Sequence, residues 1–175
     1  MDPLYHIAIC EFVGGLLVVA GAHKLLRPGE FRRVLLGFRI PAAMLVIAGW
    51  SIPSLEIAAG LAAMFHQSRF QWTGLLVCAS LLSGYALLIR LHISRGNRQI
   101  DCGCLGFGGD GTGLKPAMVY RNLVLACLAL AGLLPGSERS LTWLDSLGAL
   151  AAIGVFSLLY GAGELSIRLP MRLAS

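Results

Sequence analysis

An all-α polytopic membrane helix bundle, with four core spans and a C-terminal fifth, is the fold class this sequence predicts. Three observations carry that expectation. The chain is 57% hydrophobic and only 13% charged, whereas soluble domains are roughly a quarter charged. Its apolar residues gather into five blocks, each close to the length that crosses a hydrocarbon core of about 30 Å. The polar and charged residues gather mostly between those blocks. Residues 1–175 read as a single integral membrane domain, with no internal repeat and no low-complexity tract.

The first span is predicted over Ile7 to Leu26. The residues ahead of it lack the basic start of a secretory leader, so it reads as an uncleaved span. It holds Cys10 and Glu11 near its start and His23 and Lys24 near its end. Residues 27–40 follow as an interfacial amphipathic helix. Pro28 opens it, and Phe31, Val34, Leu35 and Phe38 recur at helical spacing. The second span runs over Pro41 to Phe65, where Pro53 predicts a kink. Ala58, Ala59, Ala62 and Ala63 supply small residues at the spacing that lets helices approach closely. The third span, Trp72 to Ile93, holds Cys78. Residues 94–117 form a long connector. The fourth span covers Met118 to Leu134, with Arg121 and Asn122 near its start and Cys127 deeper. The fifth covers Trp143 to Leu165, with Glu164 near its end.

The connector carries Asp101-Cys102-Gly103-Cys104-Leu105-Gly106, and Cys102 and Cys104 are the predicted catalytic residues. Thiols one residue apart close only a small, strained ring, and strained, exposed disulfides exchange readily. Gly103 lets the backbone bend between them. A thiolate is the attacking species, and nearby cations favour it. Alternate connectors share a face in a five-span chain, which puts His23, Lys24, His92, Arg95 and Arg121 on the same face as the pair. His23, Lys24, Asp101 and Arg121 are the candidate supporting residues. The plainer reading of His23 and Lys24 is a basic span end that snorkels to the interface before a proline-started helix. Zinc normally takes four ligands in spaced pairs, and no second pair accompanies this one, so no metal site is assigned. Two cysteines in an ordinary surface loop are the bland alternative. Cys10, Cys78 and Cys127 read as shielded packing residues.

Glu11 and Glu56 are ionisable groups inside predicted spans. Such groups are costly in lipid and face a bundle interior or a cavity. Counting along the spans places both in the half of the membrane away from the connector. Glu56, one turn past Pro53, is positioned to use carbonyls that the proline frees. Glu164 lies near the connector face and is expected to pair with Lys24 or Arg121. The string Gly108-Gly109-Asp110-Gly111-Thr112 has no soluble α/β domain around it, and Lys115 breaks phosphate-loop spacing. No basic patch is interleaved with aromatics, so nucleic acid is excluded as a partner.

Gly21-Ala22-His23-Lys24-Leu25 with Pro28 and Phe31, the Asp101–Gly106 run, and Arg121-Asn122-Leu123 together resemble the MauE family. These are methylamine-utilisation membrane proteins within the DoxX-like superfamily, and the resemblance covers most of the chain. Its most telling motif is Cys-Gly-Cys followed by an aromatic residue and Gly; Leu105 stands at the aromatic position. The resemblance implies a redox-associated component of the bacterial inner membrane. It would support thiol–disulfide exchange or disulfide maturation of a partner, as in maturation of methylamine dehydrogenase, whose small subunit is rich in disulfides. A periplasmic thioredoxin-like protein or a disulfide-containing client is the implied partner. Whether the chain is itself a thiol–disulfide oxidoreductase is left open by the residues. Two other classes stay in view: a non-catalytic scaffold for a soluble oxidoreductase, and a small-molecule or ion carrier built on Glu11 and Glu56. No motif marks a cofactor, although electrons leaving a membrane thiol pair need an acceptor such as a quinone.

Twelve of the 14 Lys and Arg residues fall on the connector face; only Arg69 and Arg139 fall opposite. By the positive-inside rule that face is cytoplasmic. The family resemblance points to the periplasm instead.

Overall fold

The computed structural model describes residues 3–65, 68–96, 114–134 and 143–168. These residues form six helices: α1 (Pro3–Leu26), α2 (Pro28–Gly37), α3 (Ala42–Met64), α4 (Ser68–Ser94), α5 (Pro116–Ala131) and α6 (Trp143–Arg168). Among them, α1, α3, α4 and α6 are long and apolar enough to cross a membrane. The chain is thus a helical, multi-pass membrane bundle. The fourth predicted span corresponds to α5, which has 16 residues, or about 24 Å of helix. It is the shortest of the five apolar helices.

Large apolar side chains cover the outside. Val46, Ile47 and Trp50 of α3 and Leu150, Leu158 and Leu159 of α6 are all exposed. In water such a surface would be an aggregation liability; in a bilayer it is the solvated face. With lipid outside, burying apolar area gives helices little reason to associate, so close packing must do it.

The sequence supplies that packing through small residues. An added Cβ on Gly60 of α3 would lie 2.5 Å from the Gly14 carbonyl oxygen of α1. One on Gly21 would lie 2.7 Å from the Pro53 carbonyl oxygen. On the other side of α3, one on Gly74 of α4 would lie 2.4 Å from the Ala63 nitrogen. The α3 helix is thus gripped backbone to backbone by α1 and α4. Of the alanines singled out in the sequence, Ala59 and Ala63 are buried in this seam, while Ala58 is exposed. α3 continues through the buried Pro53 as one helix.

α5 packs on α4 with a stripe of Met118, Asn122, Leu125, Ala126 and Ala129. Cys10 and Cys78 lie in the main core, as expected, but Cys127 is exposed. It sits on the opposite side of α5 from that stripe, exposed among the described residues. α6 docks on α1 through Phe12, whose ring centroid lies 5.4 Å from Phe156 and 6.4 Å from Tyr160.

The α2 helix falls within residues 27–40, where the sequence predicts an amphipathic helix. Phe31 and Leu35 are buried against Leu45 of α3, and Arg32 and Arg33 are exposed. It ends in a tight turn. Ile40 N–H donates to the Leu35 carbonyl and Arg39 N–H to the Leu36 carbonyl, with Arg39 at φ 59°. That is a Schellman close with a non-glycine residue in the left-handed position. The connector between α4 and α5 has its roots clamped: Ile89 and Ile93 pack on Leu114 and Met118.

The glycine seam makes a direct prediction. Gly60→Ala should lower thermal stability in detergent by about 1–3 kcal/mol through overpacking. Gly84→Ala, where an added Cβ meets nothing within 4 Å, should be neutral or stabilise by up to about 1 kcal/mol. A thermal-shift comparison of the two purified variants checks both signs.

Candidate functional site

Lys24 organises the connector end of the bundle. Cys10, Gly14, Leu17, Gly21 and Lys24 form one buried stripe along α1. Lys24 therefore faces the helix seam and does not snorkel to the interface. A helical side chain also leans toward the N-terminus of its own helix, which aims the ammonium back into the bundle. There it pairs with Glu56 Oε1 of α3. Tyr85 of α4 donates its hydroxyl to the same oxygen at 2.5 Å. The Lys24 ammonium also lies 5.0 Å from the Tyr85 ring centroid and 5.5 Å from that of Phe31 on α2, within cation–π range. Lys24 is 4% exposed and Glu56 1%. Four helices meet at this one charge.

The seam explains why Glu56 is available. Pro53, Glu56, Gly60 and Ala63 share the buried face of α3. Residue counting put Glu56 in the far half of the membrane, and the inward reach of Lys24 corrects the inference: the carboxylate belongs to the connector-side cluster. Its partners are an ammonium and a phenol, not carbonyls freed by Pro53. Its second oxygen, Oε2, is buried without a hydrogen-bond partner among the described residues.

A second buried pair lies at the same end. Arg121 of α5 binds Glu164 of α6, with side chains 10% and 11% exposed. The guanidinium lies 5.8 Å from the Tyr160 ring centroid. Of the two expected partners, Glu164 takes Arg121. Beside it, Asn122 is 2% exposed, and its Nδ2 has no hydrogen-bond partner among the described residues. His92, near the end of α4, is buried with Nδ1 3.0 Å from the Leu88 carbonyl oxygen. Its ring stands edge-on to Phe38 at 4.8 Å, which ties the end of α2 to the end of α4.

Asp101, Cys102 and Cys104 lie outside the described residues. Among the predicted supporting groups, Lys24 and Arg121 come to the same end of the bundle, each in its own ion pair, and His23 is half-buried next to Lys24 on α1. Glu11 faces elsewhere. It lines a cavity of about 640 Å³ between α1 and α6, with Phe12, Tyr160 and Glu164. Glu11 and Glu56 therefore sit on different sides of α1 and do not form one site. No cluster of three His, Cys, Asp or Glu side chains that could hold a metal ion occurs among the described residues.

Residues that sequence reasoning missed are Tyr85 and Phe31, together with the inward course of Lys24. The signal was present: Lys24 continues the Gly14, Leu17, Gly21 spacing, and Glu56 continues that of Gly60 and Ala63.

The family description "Methylamine utilisation protein MauE" matches residues 1–135. The chain belongs to the MauE family. It is 34% identical over 176 residues to the methylamine utilization protein MauE of Paracoccus versutus, covering 98% of this chain and 91% of that protein. The MauE protein of Methylophilus methylotrophus is 26% identical, covering 97% and 89% of the two chains. That of Paracoccus denitrificans is 29% identical, covering 87% and 91%. No solved structure matches. The family match takes in α1 to α5 and stops before α6, which agrees with four core spans and an additional C-terminal one.

The Lys24–Glu56 pair generates a stability prediction. Breaking a buried pair leaves one charge uncompensated, at about 3–5 kcal/mol, while replacing both partners with apolar residues is often neutral or stabilising. Lys24→Met and Glu56→Leu should each sharply reduce folded protein recovered from membranes, and the double variant should recover much of the loss. Fluorescence size-exclusion profiles of the three variants measure the coupling.

Proposed function

We propose that this chain is a membrane component of methylamine utilisation that supports thiol–disulfide exchange in a partner protein through Cys102 and Cys104. The names of its relatives support the first half. The cysteine pair supports the second. In the forward direction one thiolate attacks a partner disulfide and releases one partner sulfur as thiol. The other thiolate then resolves the mixed disulfide, leaving the partner as a dithiol and the pair as a disulfide. Run in reverse, the same steps oxidise the partner, which is disulfide maturation. A thioredoxin-like protein or a disulfide-containing client is the partner class.

The observation that carries this reading is the anchorage of the connector. Ile93 and Leu114 pack in one cluster, so the segment between them starts and ends at one place, at the end of the bundle that holds Lys24 and Arg121. The carrier reading loses support, because Glu56 is held by Lys24 and Tyr85 and lies apart from Glu11. A scaffold without thiol chemistry is the remaining rival.

Two experiments test the proposal. With one cysteine of the pair changed to serine, the other should trap a mixed disulfide with a partner in cells, and the Cys102→Ser/Cys104→Ser variant should insert normally yet fail to support growth on methylamine. Full growth with the double variant would sink the thiol role and leave the scaffold.

Sidedness is separately measurable. Charge favours a cytoplasmic connector face in the bacterial inner membrane, where thiols are kept reduced and the pair would donate electrons. In a variant retaining only Cys102, a membrane-impermeant maleimide should then label inverted vesicles and not intact cells. Labelling of intact cells would place the pair in the periplasm, with a periplasmic thioredoxin-like protein as its natural partner.

A further inference from the structure

We propose that the cavity between α1 and α6 binds the head group of a membrane quinone. The cavity holds about 640 Å³, within the range of small-molecule sites. It lies between two spanning helices, and Val19 and Leu165 at its rim are exposed to the lipid side. Its ligand therefore enters from the bilayer. Two features make the space a slot. Gly15 and Gly161 line it from α1 and α6, and an added Cβ at either would meet nothing within 4 Å. Phe12 and Tyr160 supply aromatic surface against which a planar ring can stack.

The polar lining decides the ligand class. Glu11, Ser157, Tyr160 and Glu164 all border the cavity. Glu11 lies about 12 Å along α1 from Pro3, at hydrocarbon depth. An acyl chain offers such groups no hydrogen-bonding atom. A quinone ring offers two carbonyl oxygens, which accept from the Ser157 and Tyr160 hydroxyls, and its quinol form offers two hydroxyls that carboxylates accept. Its isoprenoid tail leaves through the apolar mouth into lipid. The site stands on this geometry and does not depend on the thiol reading. If both hold, the quinone is the acceptor for the pair: two thiols and one quinone become one disulfide and one quinol, with two electrons and two protons passing to the ring.

The test uses the full chain in nanodiscs of defined phospholipid, with decylubiquinone for equilibrium binding and a photoreactive azidoquinone for mapping. The label should map to α1 and α6. Gly15→Leu and Gly161→Leu, which fill the slot without meeting protein atoms at the new Cβ, should weaken binding at least tenfold. Gly49→Leu, equally open but at the α2–α3 groove, should bind as the parent does. The Cys102→Ser/Cys104→Ser variant should also bind normally, which separates failure of the thiol role from failure of this site. Undiminished binding in both slot-filled variants, labelling elsewhere, or displacement by a saturated fatty acid at equal concentration would overturn the assignment.

Discussion

A buried ammonium shared by four helices is the constraint on which the connector end of this bundle depends. Lys24 cannot leave Glu56 without stranding one charge in a medium that solvates neither. The pair therefore fixes the register of α1 against α3. The Tyr85 hydroxyl adds α4 to the same carboxylate, and the Phe31 ring adds α2 to the same ammonium. A polar interaction of this kind contributes less through net stability than through uniqueness: sliding α1 by one turn would be opposed by the charge as well as by the packing.

The packing works in the same direction by different physics. Gly14, Gly21 and Gly60 bring the α1 and α3 backbones together, and Gly74 brings α4 onto α3 from the other side. Close approach maximises dispersion contacts where hydrophobic burial gives little. The seam and the ion pair lie along the same faces of α1 and α3, so one stripe of sequence encodes both. α6 stands outside this arrangement. It holds on through the Phe12 rings, the Gly148–Leu4 contact and the Arg121–Glu164 pair, and this looser attachment leaves space along α1.

Much of the fold was legible because spans and interfacial helices announce themselves by composition. The five apolar blocks, the proline-started α2 and the small residues of α3 could all be read from the chain. Exposure of Cys127 and Ala58 could not be read as easily, because lipid and protein interiors are equally apolar and a small residue suits both. The Lys24–Glu56 pair escaped for a geometric reason. Counting residues locates a backbone in the membrane, but a lysine spans more than one helical turn and leans toward its helix N-terminus. Only the stripe through Gly14, Leu17 and Gly21 tells which way it leans. The Cys102 and Cys104 pair was legible as chemistry, since spacing and residue type alone define it.

The short helix α5, fourth of the apolar helices in chain order, has a mechanical consequence. Its 16 residues, about 24 Å of helix, fall short of an ordinary hydrocarbon core of about 30 Å, whereas α1, α3 and α4 are long enough to cross one. A helix shorter than the hydrocarbon core is accommodated by local thinning of the bilayer or by snorkelling of its flanking residues, at fractions of a kcal/mol per ångström of mismatch. Thinning at α5 would bring headgroups closer to the Arg121–Glu164 pair, at the end of the bundle where the connector is rooted. Membrane thickness thus bears unevenly on this chain, most on the one apolar helix among the described residues that is too short to cross.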